Sequence, residues 1–167
     1  MSEQHSGILV GKQGDITIVR IDGKGTHLNS HLLKQYLLQC LEEKLQHFCI
    51  DLSQCIYMDS TFLGTLAGIG IKVKERSLPS IQLLNPTERV QNMLEGLGID
   101  HLFEIATQKE TSKSLAPLEG KNVSQQEKAK EMLDAHAKLV EISPTNEAKF
   151  RDVITILREK VEKSDPV

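Results

Sequence analysis

Asp59, Ser60 and Thr61 form a short polar corner within the stretch IDLSQCIYMDSTFLGTLAGIG, residues 50–70. An apolar run precedes the corner, and an apolar pattern with helical spacing begins at Phe62. A hydroxyl between a strand and a helix has two chemical uses. Its oxygen can accept a bond from an amide of the first helical turn, a cap worth about 1 kcal/mol. It can also carry a phosphate, because unpaired N–H groups and the positive end of the helix dipole stabilise an anion there. A phosphoserine would place about −1.5 to −2 charges at the corner. Asp59 would orient Ser60, help a partner's active site handle its hydroxyl, or simply shape the turn. Its charge would repel a neighbouring phosphate and widen the difference between modified and unmodified states. Thr61 is a competing acceptor, better placed as a first-turn helix residue. Residue type alone leaves Ser60 open as either cap or switch.

Other chemistry-bearing residues assemble less well. His27 and His31 are four apart, but a metal site needs a third ligand, and solvated residues at a helix start are the plainer reading. Cys40, Cys49 and Cys55 are an odd set with no zinc spacing and apolar neighbours, which predicts reduced, buried thiols. Gly23 and Gly25 lack the Lys-Ser/Thr ending and the strand–helix context of a phosphate loop. They are expected to break a strand and give a flexible exit. Asp51 and Ser53 end a strand, and Asp51 is expected to accept hydrogen bonds from the loop carrying the corner. No nucleophile elbow or Ser/His/Asp order supports hydrolase chemistry. The chemistry therefore predicts no metal, no cofactor and no enzyme.

Composition narrows the partners. Hydrophobic residues are 39% and charged residues 26% of 167, a globular balance. Residues 1–107 carry nine Lys/Arg against twelve Asp/Glu, a net of −3, and residues 108–167 carry eleven of each. Neither half forms a basic stripe for a phosphate backbone, and aromatics at 4% make a poor base-stacking platform. No signal-peptide pattern and no long apolar run appear, so a cytoplasmic chain without membrane or nucleic-acid contacts is expected.

The elements that must hold the corner alternate. Residues 8–10 and 15–21 predict a β-hairpin across Gly11–Gly14. Asn29 or Ser30 caps a helix whose face holds Leu33, Tyr36, Leu37, Cys40, Leu41, Lys44 and Leu45. Residues 48–52 predict a buried strand, 62–73 a glycine-rich helix, and 80–84 another strand. A helix capped at Asn85 or Thr87 carries Val90, Met93, Leu94 and Leu97, and residues 102–106 predict the last strand. Strands alternating with helices predict an α/β fold with a mixed, mostly parallel sheet and crossover helices. This domain spans residues 1–107. A polar linker, 108–123, leads to a two-helix extension, 124–163, and a frayed tail, 164–167. In the extension Ser124 and Glu127 form a capping box. The first helix aligns Met132, Leu133, His136, Leu139 and Val140. The second starts after Ser143-Pro144 and aligns Phe150, Val153, Ile154, Leu157 and Val161. These stripes must be buried, either on the chain's own domain or in a homodimer through residues 124–163.

The corner also resembles a known signature. Asp51-Leu52-Ser53, then Tyr57-Met58-Asp59-Ser60-Thr61 and Leu63-Gly64, is similar to STAS domains of the bacterial anti-sigma factor antagonist type. Asn85-Pro86 through Val90, Leu94, Leu97-Gly98-Ile99 and Leu102-Phe103-Glu104-Ile105 resembles that family's last helix and strand. The resemblance covers residues 5–107. It implies a STAS-like fold and a regulatory binding module in transcription signalling. Its partners would be a serine-protein kinase that is also an anti-sigma factor, and a serine phosphatase. It also implies that Ser60 is the phosphorylated residue, with Asp59, Thr61, Phe62, Leu63 and Gly64 meeting the partner. The sequence departs from the family at Phe62, where glycine is usual. A phenylalanine at a contact corner would add apolar area and could block the family partner's approach. A different class of protein, a constitutive STAS-fold scaffold or oligomerisation protein with Ser60 as an ordinary cap, fits the same residues.

Overall fold

A computed structural model describes residues 7–44, 46–108 and 114–164. The β-branched residues at the start form a hairpin. Strands β1 (Gly7–Gln13) and β2 (Ile16–Gly25) pair antiparallel, with Val10 opposite Val19. The turn between them uses Gly14 at φ 63°, in the left-handed region where glycine carries no Cβ penalty. The chain then alternates helix and strand: α1 (Ser30–Glu42), β3 (His47–Asp51), β4 (Cys55–Met58), α2 (Ser60–Glu75), β5 (Gln82–Leu84), α3 (Glu88–Gly96) and β6 (Glu104–Ala106). A two-residue strand β7 (Ala116–Pro117) and helices α4 (Gln125–Ile142) and α5 (Asn146–Ser164) complete it.

The sheet order is β6-β5-β3-β2-β1-β7, with β4 paired to β2. Pairings among β2, β3, β5 and β6 are parallel, and so is β2 with β4. Antiparallel pairs occur at the β1 edge, with β2 and β7. This is the expected α/β architecture, a mixed and mostly parallel sheet with crossover helices and a C-terminal helical hairpin. Parallel strands covered by helices are near-continuously apolar because water must be kept from them. Val19, Ile21, Ile50 and Leu83 supply the sheet's part of the core, and Leu33, Leu37, Leu66 and Leu94 the helices' part.

Several boundaries differ from those expected. β2 does not break at its glycines. Gly23–Gly25 continue as a strand beside β4, across a bulge between Gly23 and Lys24. β4 is a strand that the polar flanks of Cys55–Met58 hid. α1 ends at Glu42, and Lys44 turns to φ 64°, so Lys44 leaves the apolar face; Leu45 lies outside the described residues. Residues 100–102 form a 3-10 turn, which shortens the last predicted strand. The segment expected as a linker, 108–123, contains β7, which pairs with Leu9 and Val10 of β1, and residues 109–113 lie outside the described residues. α5 starts at Asn146, two residues beyond Pro144, and reaches Ser164; the rest of the expected tail, 165–167, is outside the described residues.

One glycine is required by packing. A Cβ on Gly25 would lie 2.7–2.8 Å from three ring atoms of Phe62, whose side chain is fully buried. Overpacking of this kind costs typically about 1–3 kcal/mol. Gly25→Ala is expected to lower the urea midpoint accordingly in equilibrium unfolding followed by circular dichroism. Gly25→Ala with Phe62→Leu should recover part of the loss, because the smaller side chain leaves room for the methyl group.

Candidate functional site

The corner is held by backbone before any side chain acts. The Asp59 amide donates to the Gly25 carbonyl at 2.9 Å, so the extended end of β2 fixes where α2 begins. Asp59 is itself the N-cap. Its Oδ1 accepts from the Phe62 amide at 2.8 Å, while its Oδ2 accepts from the His27 amide at 2.8 Å and meets His27 Nδ1 at 3.2 Å. Asp59 thus ties α2 to the turn before α1. Ser60 is the first helical residue and not the cap, and its hydroxyl is left for other work.

That work is done across the fold. Ser60 Oγ lies 2.8 Å from His136 Nε2, a residue of α4 that is only 3% exposed. His136 Nδ1 lies 2.6 Å from the Met132 carbonyl, an oxygen that can only accept. The Nδ1 therefore carries a hydrogen, and in the neutral ring Nε2 offers a lone pair to which the Ser60 hydroxyl donates. The arrangement is a serine with a base in hydrogen-bond reach, oriented by a backbone carbonyl instead of a carboxylate. Phe150 of α5 meets the His136 ring edge-on at 5.1 Å between centroids and holds it from the other side.

α4 reaches Ser60 because it lies very close to α2. A Cβ on Gly64 would overlap the Ala135 carbonyl, and one on Gly68 would sit 3.8 Å from Cγ of Lys138. Glycine on one helix and alanine on the other allow this approach. Beyond the crossing, Leu139 is fully buried in the core, and Asn146 Nδ2 donates to the Leu97 and Leu139 carbonyls at 2.9 Å each. Lys149 Nζ donates to the Gly96 carbonyl at 2.8 Å. A cleft of about 280 Å³ remains beside Ser60, lined by Tyr57, Met58, Leu63, Met93, Leu97 and Phe150 with Lys149 as its charged group. Of the apolar stripe of α4, His136 and Leu139 are thus buried within the chain, while Met132, Leu133 and Val140 are half-buried. α5 keeps Val153 and Ile156 exposed.

The residues expected to face a partner divide sharply. Asp59 and Ser60 stand at the rim, half-buried. Thr61 and Phe62 are inside, with Phe62 against Gly25, so its ring adds no area to a contact corner. Leu63 and Gly64 lie on the face of α2 that the hairpin covers. Asp51 Oδ1 accepts from the Ser53 amide at 2.9 Å, a local bond in the turn between β3 and β4, which the strand β4 separates from the corner. His27 is tied to Asp59, and His31 is buried with Nδ1 lacking a hydrogen-bond partner among the described residues, so neither is a simple solvated residue. Burial pushes the Cys40, Cys49 and Cys55 thiols above their ordinary range, which keeps them protonated at neutral pH. No group of three or more His, Cys, Asp or Glu able to hold a metal occurs among the described residues, and no helix there is long and apolar enough to cross a membrane. His136 is the site residue missed by sequence reasoning. Its one signal was a histidine on the apolar face of an amphipathic helix.

The family model for the STAS domain matches residues 8–113, and the chain belongs to that family. The fold is also that of solved anti-sigma factor antagonists. The crystal structure of a putative anti-sigma factor antagonist from Thermotoga maritima aligns with a TM-score of 0.53 and 21% identity, over 58% of this chain and 83% of that one. The Bacillus cell fate determinant SpoIIAA in its phosphorylated form aligns with a TM-score of 0.51 and 14% identity, over 60% of this chain and 92% of that one. No curated protein sequence matches the chain.

Ser60→Ala removes the donor and strands a buried acceptor, a loss of about 1–3 kcal/mol. Chemical denaturation should show that destabilisation. The double variant Ser60→Ala/His136→Leu should be less destabilised than the sum of its parts, giving a coupling of about 0.5–3 kcal/mol in a double-mutant cycle. Strict additivity would mean that the Ser60–His136 contact contributes nothing.

Proposed function

We propose that this STAS domain is a non-enzymatic regulatory binding module of the anti-sigma factor antagonist kind, switched by phosphorylation of Ser60. The partner is a serine-protein kinase that doubles as an anti-sigma factor, and a serine phosphatase resets the switch. The protein works in the cytoplasm, in transcription signalling. One observation carries the reading: Ser60 opens α2 without capping it, because Asp59 takes the capping bond. Its hydroxyl is therefore not spent on the helix cap, and it stands at the end of a helix where an anion is electrostatically favoured. Asp59 beside it would sharpen the contrast between the two charge states. The phosphorylated form of SpoIIAA, a fold neighbour, adds support from likeness of fold alone. The partner surface in this reading is the N-terminal end of α2. Asp59 and Ser60 form its rim, and Leu63 and Gly64 form its face once that face is uncovered. Thr61 and Phe62 support it from within the domain.

Incubation with the cognate kinase and labelled ATP, followed by phosphopeptide mapping, is expected to find phosphate on Ser60. Modification elsewhere with Ser60 untouched overturns the assignment. Ser60→Asp should bind the same kinase at least about tenfold more weakly than wild type, a difference of roughly 1.4 kcal/mol. Isothermal titration of both forms reads this directly, and equal affinities would remove charge as the mechanism.

A further inference from the structure

Resting on that reading, we infer that the α4–α5 hairpin is an internal gate over Ser60, with His136 as its latch. Three observations converge. The face of α2 next to Ser60 is occupied, since the Ala135 backbone sits where any side chain on Gly64 would project. The hydroxyl hydrogen of Ser60 is engaged by a base of this same chain. The open cleft beside Ser60 is bordered by Tyr57, Leu63, Met93 and Phe150, so a kinase approaching the oxygen from that side meets α5 while the hairpin is seated. His136 is in this sense a positioning residue: it acts on Ser60 by holding the hydroxyl and the helix together.

The hairpin is built to leave without unfolding the sheet. It contributes no strand, and its ties to the domain include the α2 crossing, the Ser60–His136 bond, Leu139 and Phe150 on the core, and the bonds of Asn146 to Leu97 and of Lys149 to Gly96. The chain before it is pinned, because β7 pairs with β1 and the Leu118 amide donates to the Ile8 carbonyl at 2.7 Å. A released hairpin therefore remains tethered at high local concentration and can reseat. Phosphorylation proceeds only from the open state. The Ser60 O–H bond breaks and its proton passes to a base of the kinase. The oxygen forms a bond to the terminal phosphorus of the nucleoside triphosphate, and the nucleoside diphosphate leaves with the electrons of the broken P–O bond. The partner that reads α2 must displace α4, so gate opening sets how fast the switch can be thrown.

The full-length chain tests this with two variants of opposite effect. Leu139→Asp puts a charge at a fully buried hairpin position and should unseat the hairpin. Gly68→Cys/Lys138→Cys, placed where a Cβ on residue 68 would lie 3.8 Å from the Lys138 Cγ across the crossing, should lock it when oxidised and release it with reductant. Hydrogen exchange read by mass spectrometry, with no partner present, should rise at least tenfold over residues 125–142 in Leu139→Asp. Exchange over 7–106 should stay near wild type, and a sheet that also opens would mean the hairpin cannot leave separately. Labelled ATP with a lysate of the protein's own cells, followed by mapping of Ser60, then gives the rates. Expected are at least tenfold faster modification of Leu139→Asp than of wild type, and at least tenfold slower modification of the oxidised pair with recovery on reduction. Equal rates at Ser60 in all forms overturn the gate while leaving the phosphoswitch standing. Absence of phosphate from Ser60 even in the opened form overturns the switch and the gate with it.

Discussion

The close crossing of α4 over α2 is the constraint on which the functional geometry depends. Gly64 has no side chain, and Ala135 has a small one, so two helix backbones meet where ordinary side chains would hold them apart. The approach brings His136 down onto Ser60 and seats Leu139 in the core. Separated helix backbones would leave the imidazole short of the hydroxyl. They would also leave a buried histidine nitrogen without a donor, a cost that outweighs the modest net gain of a typical hydrogen bond. The crossing and the hydrogen bond support each other.

A second constraint lies beneath the first. Asp59 bonds the Phe62 amide with one oxygen and the His27 amide with the other. One carboxylate thus completes the first turn of α2 and fastens it to the chain leaving β2. The extended Gly23–Gly25 segment contributes the Gly25 carbonyl that receives the Asp59 amide, and its missing side chain gives Phe62 a place in the core. Phe62, unusual for this corner, is therefore explained from the inside. It is a core residue matched to Gly25, and the corner's outward face is set by Asp59 and Ser60.

The STAS domain and the hairpin relate as scaffold and cover. The solved antagonists align over 58–60% of this chain and most of their own length, so the chain carries much that lies outside the aligned region. α4 and α5 are amphipathic helices of mixed charge; α4 packs on α2, α5 packs on α4, and Val153 and Ile156 stay exposed. Placing them over the end of α2, instead of at a remote edge of the sheet, is what links the extension to the site.

Much of the fold was legible along the chain. Period-two runs of β-branched residues marked the hairpin, and apolar residues three and four apart marked α1, α3, α4 and α5. The Ser124–Glu127 capping box marked the start of α4 to the residue. These features are local, and a local pattern carries its own physics. The short strand Cys55–Met58 and the continuation of β2 through two glycines were not legible, because each is a strand only by virtue of the other's hydrogen bonds. The site divides the same way. Sequence alone determined that a hydroxyl stands at a helix start beside a carboxylate, and that two amphipathic helices follow. Only the tertiary structure decided that the carboxylate is the cap and that Ser60 is bonded to a histidine 76 positions away. No spacing rule links residues so far apart. Their meeting is set by which helix faces can approach, and Gly64 against Ala135 is where these two do.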